Sequence, residues 1–166
     1  MPTDARVKLE RLQCTRDDDA SRSSDPYIWP ILLWTHDGVL ASRELVGLTT
    51  PTAGNERVII KEGMRGGEIA DIPTSVGSLS TQFDSSSTVR RLILAVAFLE
   101  KDQAPDVIIQ TGFQVFSSAL RTAAAENLVA LVKADQIEDE NERKTELNAI
   151  IETIRPSVEN HVKSAI

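Results

Sequence analysis

Acidic residues that could bind a metal ion are concentrated in two short segments of this chain. The first segment, residues 15–27, contains Asp18, Asp19 and Asp25, and Asp25 is followed by a proline. The second segment, residues 100–106, has acids at its first, third and last positions. Calcium takes six to eight oxygen ligands at about 2.3–2.6 Å, and flexible loops with several carboxylates supply them. The two acidic segments together could therefore supply the oxygen ligands of a calcium ion if the fold brings them to one place.

The same acids also have an interpretation that needs no metal. Residues 17–19 then form a solvated turn whose charge is balanced by Arg16 and Arg22. Asp25 makes an Asx turn in that case, and Asp106 caps the N-terminus of a helix. Both interpretations stay open, although five acids brought together without a cation would repel one another.

Residues for other kinds of chemistry are sparse. Paired carboxylates could act as acid and base in glycoside hydrolysis, but no pocket-forming set of aromatic residues accompanies them. Trp29 and Trp34 are an odd number of residues apart, so a regular strand turns them to opposite faces. His36 and His161 have no serine or cysteine partner at a recognisable spacing, and the single cysteine, Cys14, completes no zinc pattern. These patterns favour a protein that is not an enzyme.

The charge distribution bears on the class of partner. The net charge is −7, and the adjacent basic pairs are Arg90-Arg91 and Arg143-Lys144. Nucleic acid binding needs clustered lysine and arginine, so we expect no nucleic acid partner. An anionic membrane would repel this chain, so we expect membrane binding to need calcium. The N-terminal residues do not resemble a signal peptide, and no apolar run reaches the ~18 residues of a transmembrane helix. The sequence leaves the cellular location otherwise undetermined.

Three apolar segments in the first hundred residues predict the main strands. Residues 6–14 alternate with one slip in phase, which a β-bulge at Glu10-Arg11 would correct. Residues 27–34 are apolar on both faces and predict a covered strand, in which Pro30 marks an edge or a bulge. Residues 91–99 predict a central strand, with a helix as the alternative because β-branched residues are a minority there.

Shorter segments complete the predicted sheet. Residues 58–60 and 69–73 are expected to pair as a hairpin around a glycine-containing loop, and residues 79–83 are expected to be extended. One acidic segment joins two apolar strands and the other follows residues 91–99. We therefore expect both acidic segments at one end of the sheet.

Beyond Pro105 the apolar period becomes helical. A stripe from Ile109 to Leu131 predicts a long helix, residues 135–144 hold the turn, and a stripe from Leu147 to Val162 predicts a second helix that Pro156 kinks or restarts. Two facing helices need one stripe each, so the surplus of apolar residues predicts a further contact with a partner or with the sheet. The residues predicted at this contact are Ile109, Phe113, Phe116, Leu120, Leu147, Ile151 and Ile154.

Two short motifs resemble the C-two domain, the calcium-dependent lipid-binding β-sandwich. Ser24-Asp25-Pro26-Tyr27 is similar to the Asp-Pro-Tyr that opens a strand after an acidic loop in that family. Glu100-x-Asp102-x-x-x-Asp106 is similar to the family's second calcium loop. The resemblance implies a calcium site whose candidate ligands are Asp18 or Asp19, Asp25, Glu100, Asp102 and Asp106. The chain departs from the family at Glu100, which replaces an aspartate, in the helical stripe that follows Asp106, and in a strand count below eight.

These patterns predict an α+β chain, with an antiparallel β-sandwich over residues 4–103 and a helical hairpin over residues 106–166. The expected function is that of a non-enzymatic binding module whose calcium-loaded tip contacts a membrane surface or a protein. The alternative is a structural or assembly subunit whose helices mediate self-association or partner contacts without calcium. A hydrolase is the third hypothesis.

Overall fold

A computed structural model of the chain describes residues 3–15, 25–36, 46–83, 89–100 and 105–164. Within these ranges the strands are β1 (Thr3–Lys8), β2 (Arg11–Gln13), β3 (Pro26–His36), β4 (Val46–Thr49), β5 (Ile69–Asp71), β6 (Ser78–Phe83) and β7 (Val89–Glu100). The helices are α1 (Thr74–Gly77), α2 (Asp106–Glu126), α3 (Leu128–Asp135) and α4 (Glu140–Lys163). These strands pair antiparallel and the C-terminal region is helical, so the α+β prediction is confirmed at this level.

The central strand of the main sheet is β3. The sheet has the order β4-β3-β7, and the odd-numbered residues of β3 pack against α2 and α4 in the main core. On the opposite face Trp34 meets Phe83 of β6, with 5.6 Å between the ring centroids. Residues 27–33 are all buried. The predicted covered strand is therefore confirmed, with helices on one face and a contact to β6 on the other.

Two prolines lie in the half of β3 that pairs with β7 alone, because β4 pairs only with residues 32–35. The carbonyl of Pro26 accepts a hydrogen bond from the N–H of Ile60 at 2.9 Å, so Pro26 turns its polar groups away from β7. Alternate residues of a strand turn these groups to the same side, so Pro30 also directs its nitrogen away from β7. Proline at that position removes no bond to β7. The register between β3 and β7 is unbroken at Pro30, so the predicted bulge is wrong. The alternative prediction, an edge, fits the other side of β3, where β4 does not extend as far as Pro30.

The strand predicted at residues 91–99 is confirmed as β7, but its predicted central position is wrong. Among the described residues β7 pairs with β3 only, so it lies at an edge of the sheet. Apolar residues at both odd and even positions are typical of a strand covered on both faces. That pattern reports the apolar character of each face and carries no information on which neighbour covers it.

The N-terminal strands pair with two different partners. β1 pairs with β6 and β2 pairs with β5, and the chain between them is held where Leu9 N–H donates to the carbonyl of Gly77 at 2.8 Å. The slip in phase at Glu10-Arg11 marks this change of partner, which replaces the predicted bulge. The predicted hairpin is wrong, since residues 58–60 form no strand and β5 pairs with β2. The extended segment predicted at residues 79–83 is confirmed as part of β6.

The predicted helical hairpin corresponds to α2 and α4, which pack together in the main core. The shorter helix α3 lies between them in the chain. The break lies at Asn127, whose side-chain amide donates to the carbonyl of Ala123 at 2.9 Å, and α2 and α3 are bent by 61°. The single long helix predicted up to Leu131 is therefore wrong. No single described helix is long and apolar enough to cross a membrane, and α2 with α3 meets that test only as this bent pair.

The helix ends differ from the prediction. Pro105 is the N-cap residue of α2, and Asp106 lies in the first turn without capping it, so the predicted Asp106 cap is wrong. Asp139 caps α4 by accepting hydrogen bonds from the N–H groups of Asn141 and Glu142 at 2.9 and 2.8 Å. The turn between α3 and α4 is residues 136–139, shorter than predicted, and α4 continues through Pro156 without restarting.

Candidate functional site

The described members of the predicted calcium site lie near one end of the main sheet. Pro26 pairs with Glu100 across β3 and β7, so Asp25 and Glu100 occupy the same end. Asp18, Asp19 and Asp102 lie outside the described residues. Within the described ranges, no group of three or more His, Cys, Asp or Glu residues could hold a metal ion. The calcium site therefore stays a prediction.

Asp25 and Asp106 each have a protein partner. One carboxylate oxygen of Asp25, Oδ1, accepts a hydrogen bond from the N–H of Gly63 at 2.7 Å. Gly63 has a φ of 65°, a conformation that glycine adopts without steric cost. Asp106 forms an ion pair with Arg57 at 3.5 Å, in which the Arg57 side chain is largely buried and the Asp106 side chain is largely exposed. Both carboxylates therefore hold neighbouring segments to this end of the sheet.

The loop after Ile60 carries a second charged contact. Lys61 Nζ lies 2.9 Å from the carboxylate of Glu68, which also accepts a hydrogen bond from the N–H of Arg65 at 2.8 Å. The hydrogen bond from Lys61, followed by that from Arg65, holds the pKa of the Glu68 carboxyl below its ordinary value. Since Gly63 belongs to the same loop, this pair helps to fix the loop beside Asp25.

An apolar groove of about 590 Å³ runs along β7. Residues 93–98 of β7 form one wall, and the other wall includes Ile151, Ile154 and Val158 of α4. The β7 residues that face the helices include Ala95 and Ala97, which pair with Ile31 and Trp29 of β3. Small side chains on β7 opposite large ones on β3 leave space between β7 and the helices.

The opposite face of β7 exposes large apolar side chains. Leu92, Leu94 and Phe98 are 44%, 39% and 68% exposed. Their cross-strand partners on β3 are Trp34, Leu32 and Ile28, of which Leu32 and Ile28 are 1% and 2% exposed. This face is therefore buried over β3 and exposed over β7.

The backbone of β7 presents a pairing edge, which we call the open edge: the side of β7 turned away from β3. Because even-numbered β3 residues turn their polar groups away from β7, their even-numbered partners on β7 turn theirs to the open edge. These include the N–H and C=O groups of Leu92, Leu94, Val96 and Phe98. Within the described ranges no backbone hydrogen bond joins these groups to another segment. β7 therefore combines an apolar groove, an apolar face and a row of backbone donors and acceptors.

The predicted contact residues of the helices divide into two sets. Ile109, Phe113, Phe116 and Leu120 of α2 are buried in the main core against the sheet of the same chain. Leu147 and Ile154 of α4 are half-buried, and Ile151 is 45% exposed and lines the groove. The open edge of β7 was not predicted from the sequence, in which its signal is an uninterrupted apolar run between Arg91 and Glu100.

Searches with this chain against family models, curated protein sequences and solved structures find no match. The function is therefore argued from the geometry of the groove, the open edge and the acidic end.

Proposed function

We propose that the protein is a non-enzymatic interaction and assembly module that binds an extended protein segment at β7. The observation that carries this proposal is the coincidence of the open edge with the apolar groove and with exposed Leu92, Leu94 and Phe98. An added strand bonds to the backbone of the edge, and its alternate side chains enter pockets on the two faces.

The energetics of an edge strand support this proposal. A long apolar edge strand is a template for pairing with another chain, and proteins that remain monomeric protect such strands with lysine, proline or a bulge. From Leu92 to Leu99 the strand has no charged residue, no proline and no register shift. Exposed apolar patches with these features mark protein interaction sites. This function follows the assembly hypothesis, with the contact at β7 and α4 rather than at the helices alone.

A peptide selection tests this function. We expect random twelve-residue peptides displayed against the full chain to be enriched for alternating apolar sequences. Val96→Pro should weaken their binding by about tenfold or more, because it removes an N–H of the open edge and no bond to β3. Phe98→Ser tests the exposed face in the same way.

Val129→Ser is the matched control, since Val129 is an exposed apolar residue of α3 outside the groove. Binding measured by fluorescence anisotropy should be unchanged in this variant. Failure to enrich any peptide would contradict the proposed function. Equal binding of the peptides by Val96→Pro and by the unmodified chain would also contradict it.

A second candidate function is a C-two-like β-sandwich that binds calcium and, through calcium, an anionic membrane. The observation that favours it is the pairing of Pro26 with Glu100, which brings the ends of both acidic segments together. Calcium bound there would reverse the local charge of a chain whose net charge is −7.

Thermal unfolding with calcium and with a chelator tests the second candidate. A ligand bound only by the folded state stabilises it by about 2.7 kcal/mol at ~100 times its dissociation constant. We expect a higher Tm in calcium, and calcium-dependent co-sedimentation with vesicles that contain phosphatidylserine. An unchanged Tm, together with co-sedimentation that ignores the chelator, would rule this candidate out.

A further inference from the structure

We infer that α4 opens at Pro156, so that residues 157–163 form a movable wall of the groove along β7. This wall controls access to the groove, a role that rests on the proposed function. The hinge lies where the backbone bonding, the apolar packing and the side-chain contacts of α4 are each interrupted.

The backbone of α4 is weakest at Pro156, which lies inside the helix. Proline has no N–H, so this residue cannot donate the α-helical hydrogen bond to the carbonyl of Glu152. The ring of a proline also disfavours the helical conformation of the residue before it, and Arg155 is helical here. Rotation of Arg155 to an extended conformation relieves that crowding and turns the following residues away from the helix axis. Opening is therefore easiest at the junction of Arg155 and Pro156.

The apolar packing of α4 divides close to Pro156. Before the proline, Ile150 is buried in the smaller apolar cluster, which α4 forms with α3. After the proline, Val158 is buried in the main core with α2 and the sheet. Ile154 packs against both clusters. Because the two halves of α4 have different anchors, residues 157–163 can move while the first half stays on α3.

The side-chain hydrogen bonds and ion pairs within α4 follow the same division. Arg155 pairs with Glu152 before the proline. Lys163 pairs with Glu159 after it. In the described part of the chain, no contact of this kind within α4 crosses Pro156. Opening at the proline therefore breaks no side-chain contact within the helix.

The groove wall spans the hinge. Ile151 and Ile154 of this wall lie before Pro156, whereas Val158 and Glu159 lie after it. Opening moves Val158 and Glu159 away from the main core and enlarges the groove at their end. Side chains of a segment bound at β7 enter the enlarged groove, so the opening of α4 sets how readily such a segment binds.

Thiol labelling at two matched positions tests the hinge. Ile150 and Val158 are both 6% exposed, and they lie on opposite sides of Pro156 in the same helix. Each is replaced by cysteine in a Cys14→Ser background, and the full chain is treated with a thiol reagent. We expect Val158→Cys to react at least about tenfold faster than Ile150→Cys, because local opening exposes it without unfolding of the whole chain.

Urea distinguishes local opening from global unfolding. Local opening exposes little surface, so the labelling of Val158→Cys should hardly change at low urea concentrations. The labelling of Ile150→Cys should rise steeply, because it requires unfolding of the chain. This comparison holds even where the two cysteines destabilise the chain unequally. An equally steep dependence at both positions would contradict the hinge.

Pro156→Ala tests the cause of the opening. Alanine restores the N–H and permits a helical Arg155, so it should slow the labelling of Val158→Cys by about tenfold or more. Asn160→Ala, which raises helix propensity at an exposed position and keeps the proline, is the matched control and should slow it far less. Labelling at the same rate with proline and with alanine at position 156 would overturn the hinge.

The outcomes separate the hinge from the proposed function. Peptide binding by a chain in which Val158→Cys reacts no faster than Ile150→Cys would overturn the hinge and leave the function standing. The expected labelling in a chain that binds no peptide would overturn the function and the gating role, and leave the hinge. Where both hold, Pro156→Ala should lower the association rate of a selected peptide by about tenfold, because the open state is rarer. An unchanged association rate would overturn the gating role.

Discussion

The strands β3 and β7 are neighbours with the same apolar character and opposite surroundings. Leu32 and Leu94 show the contrast most simply, because they are the same residue type, directly paired and on the same face. Leu32 is 1% exposed and Leu94 is 39% exposed. The comparison shows that the same apolar residue type is covered on β3 and largely exposed on β7, so the two strands differ in the cover that the described part of the chain supplies.

The largest predicted difference comes from shortening these two leucines. Leu32→Ala should lower the free energy of unfolding by about 2–5 kcal/mol, because it leaves a cavity in a packed core. Leu94→Ala should cost less than about 1 kcal/mol in the monomer, because its side chain is already partly hydrated. Urea denaturation measures both changes.

A selected peptide provides the control for that pair. Samples without peptide report the chain alone, whereas any extra cost of Leu94→Ala that appears when the peptide is added reports the contact across β7. Equal losses for both leucines without peptide would contradict the contrast between the strands.

The helices that flank the two strands allow a smaller test. α4, which walls the groove beside β7, has a side-chain cap at Asp139, whereas the N-cap of α2 is Pro105. Asp139→Ala should cost about 1 kcal/mol, since it leaves two backbone N–H groups of α4 without their acceptor. Asp106→Ala is the matched control and should cost less, because its ion pair with Arg57 is exposed on the Asp106 side. Thermal unfolding that ranks the two changes in reverse would show that α2 depends on Asp106.

The smallest expected effect concerns Glu68, in the loop beside the covered end of β3. The pKa of Glu68 is held below its ordinary value chiefly by Lys61. A lowered pKa in the folded state contributes stability above the unfolded pKa, and that contribution is lost as the pH falls through the folded pKa. Lys61→Met should raise the pKa of Glu68, as followed by NMR titration of its carboxyl carbon. An unchanged titration would mean that Arg65 alone sets this pKa.

Local sequence patterns predicted which segments form strands better than they predicted which segments those strands pair with. The all-apolar run of residues 27–34 correctly predicted a covered strand, because two covered faces require apolar residues at odd and even positions. The length and charged flanks of residues 91–99 predicted a central strand, whereas β7 lies at an edge among the described strands. A sequence pattern records how apolar a face is, and only the fold decides whether the same chain covers it.

The helices show a related limit. The apolar stripe continues through Asn127, so spacing alone predicted one long helix, whereas the bend lets Leu131 join a second cluster with Ala134 and Ile150. The cap at Asp106 was predicted from residue preference, but Pro105 takes that position. For the candidate site, the sequence placed Asp25 and Glu100 in related segments, and the pairing of Pro26 with Glu100 depends on a register that only the fold supplies.

Amide hydrogen exchange along β7, measured by NMR with and without a selected peptide, tests the open edge most directly. Without peptide we expect slow exchange at Ile93, Ala95 and Ala97, whose N–H groups bond to β3, and fast exchange at Leu94, Val96 and Phe98. When the peptide is added, the second set should become protected. Equal protection of both sets without peptide would mean that the chain covers this edge itself and would contradict the account.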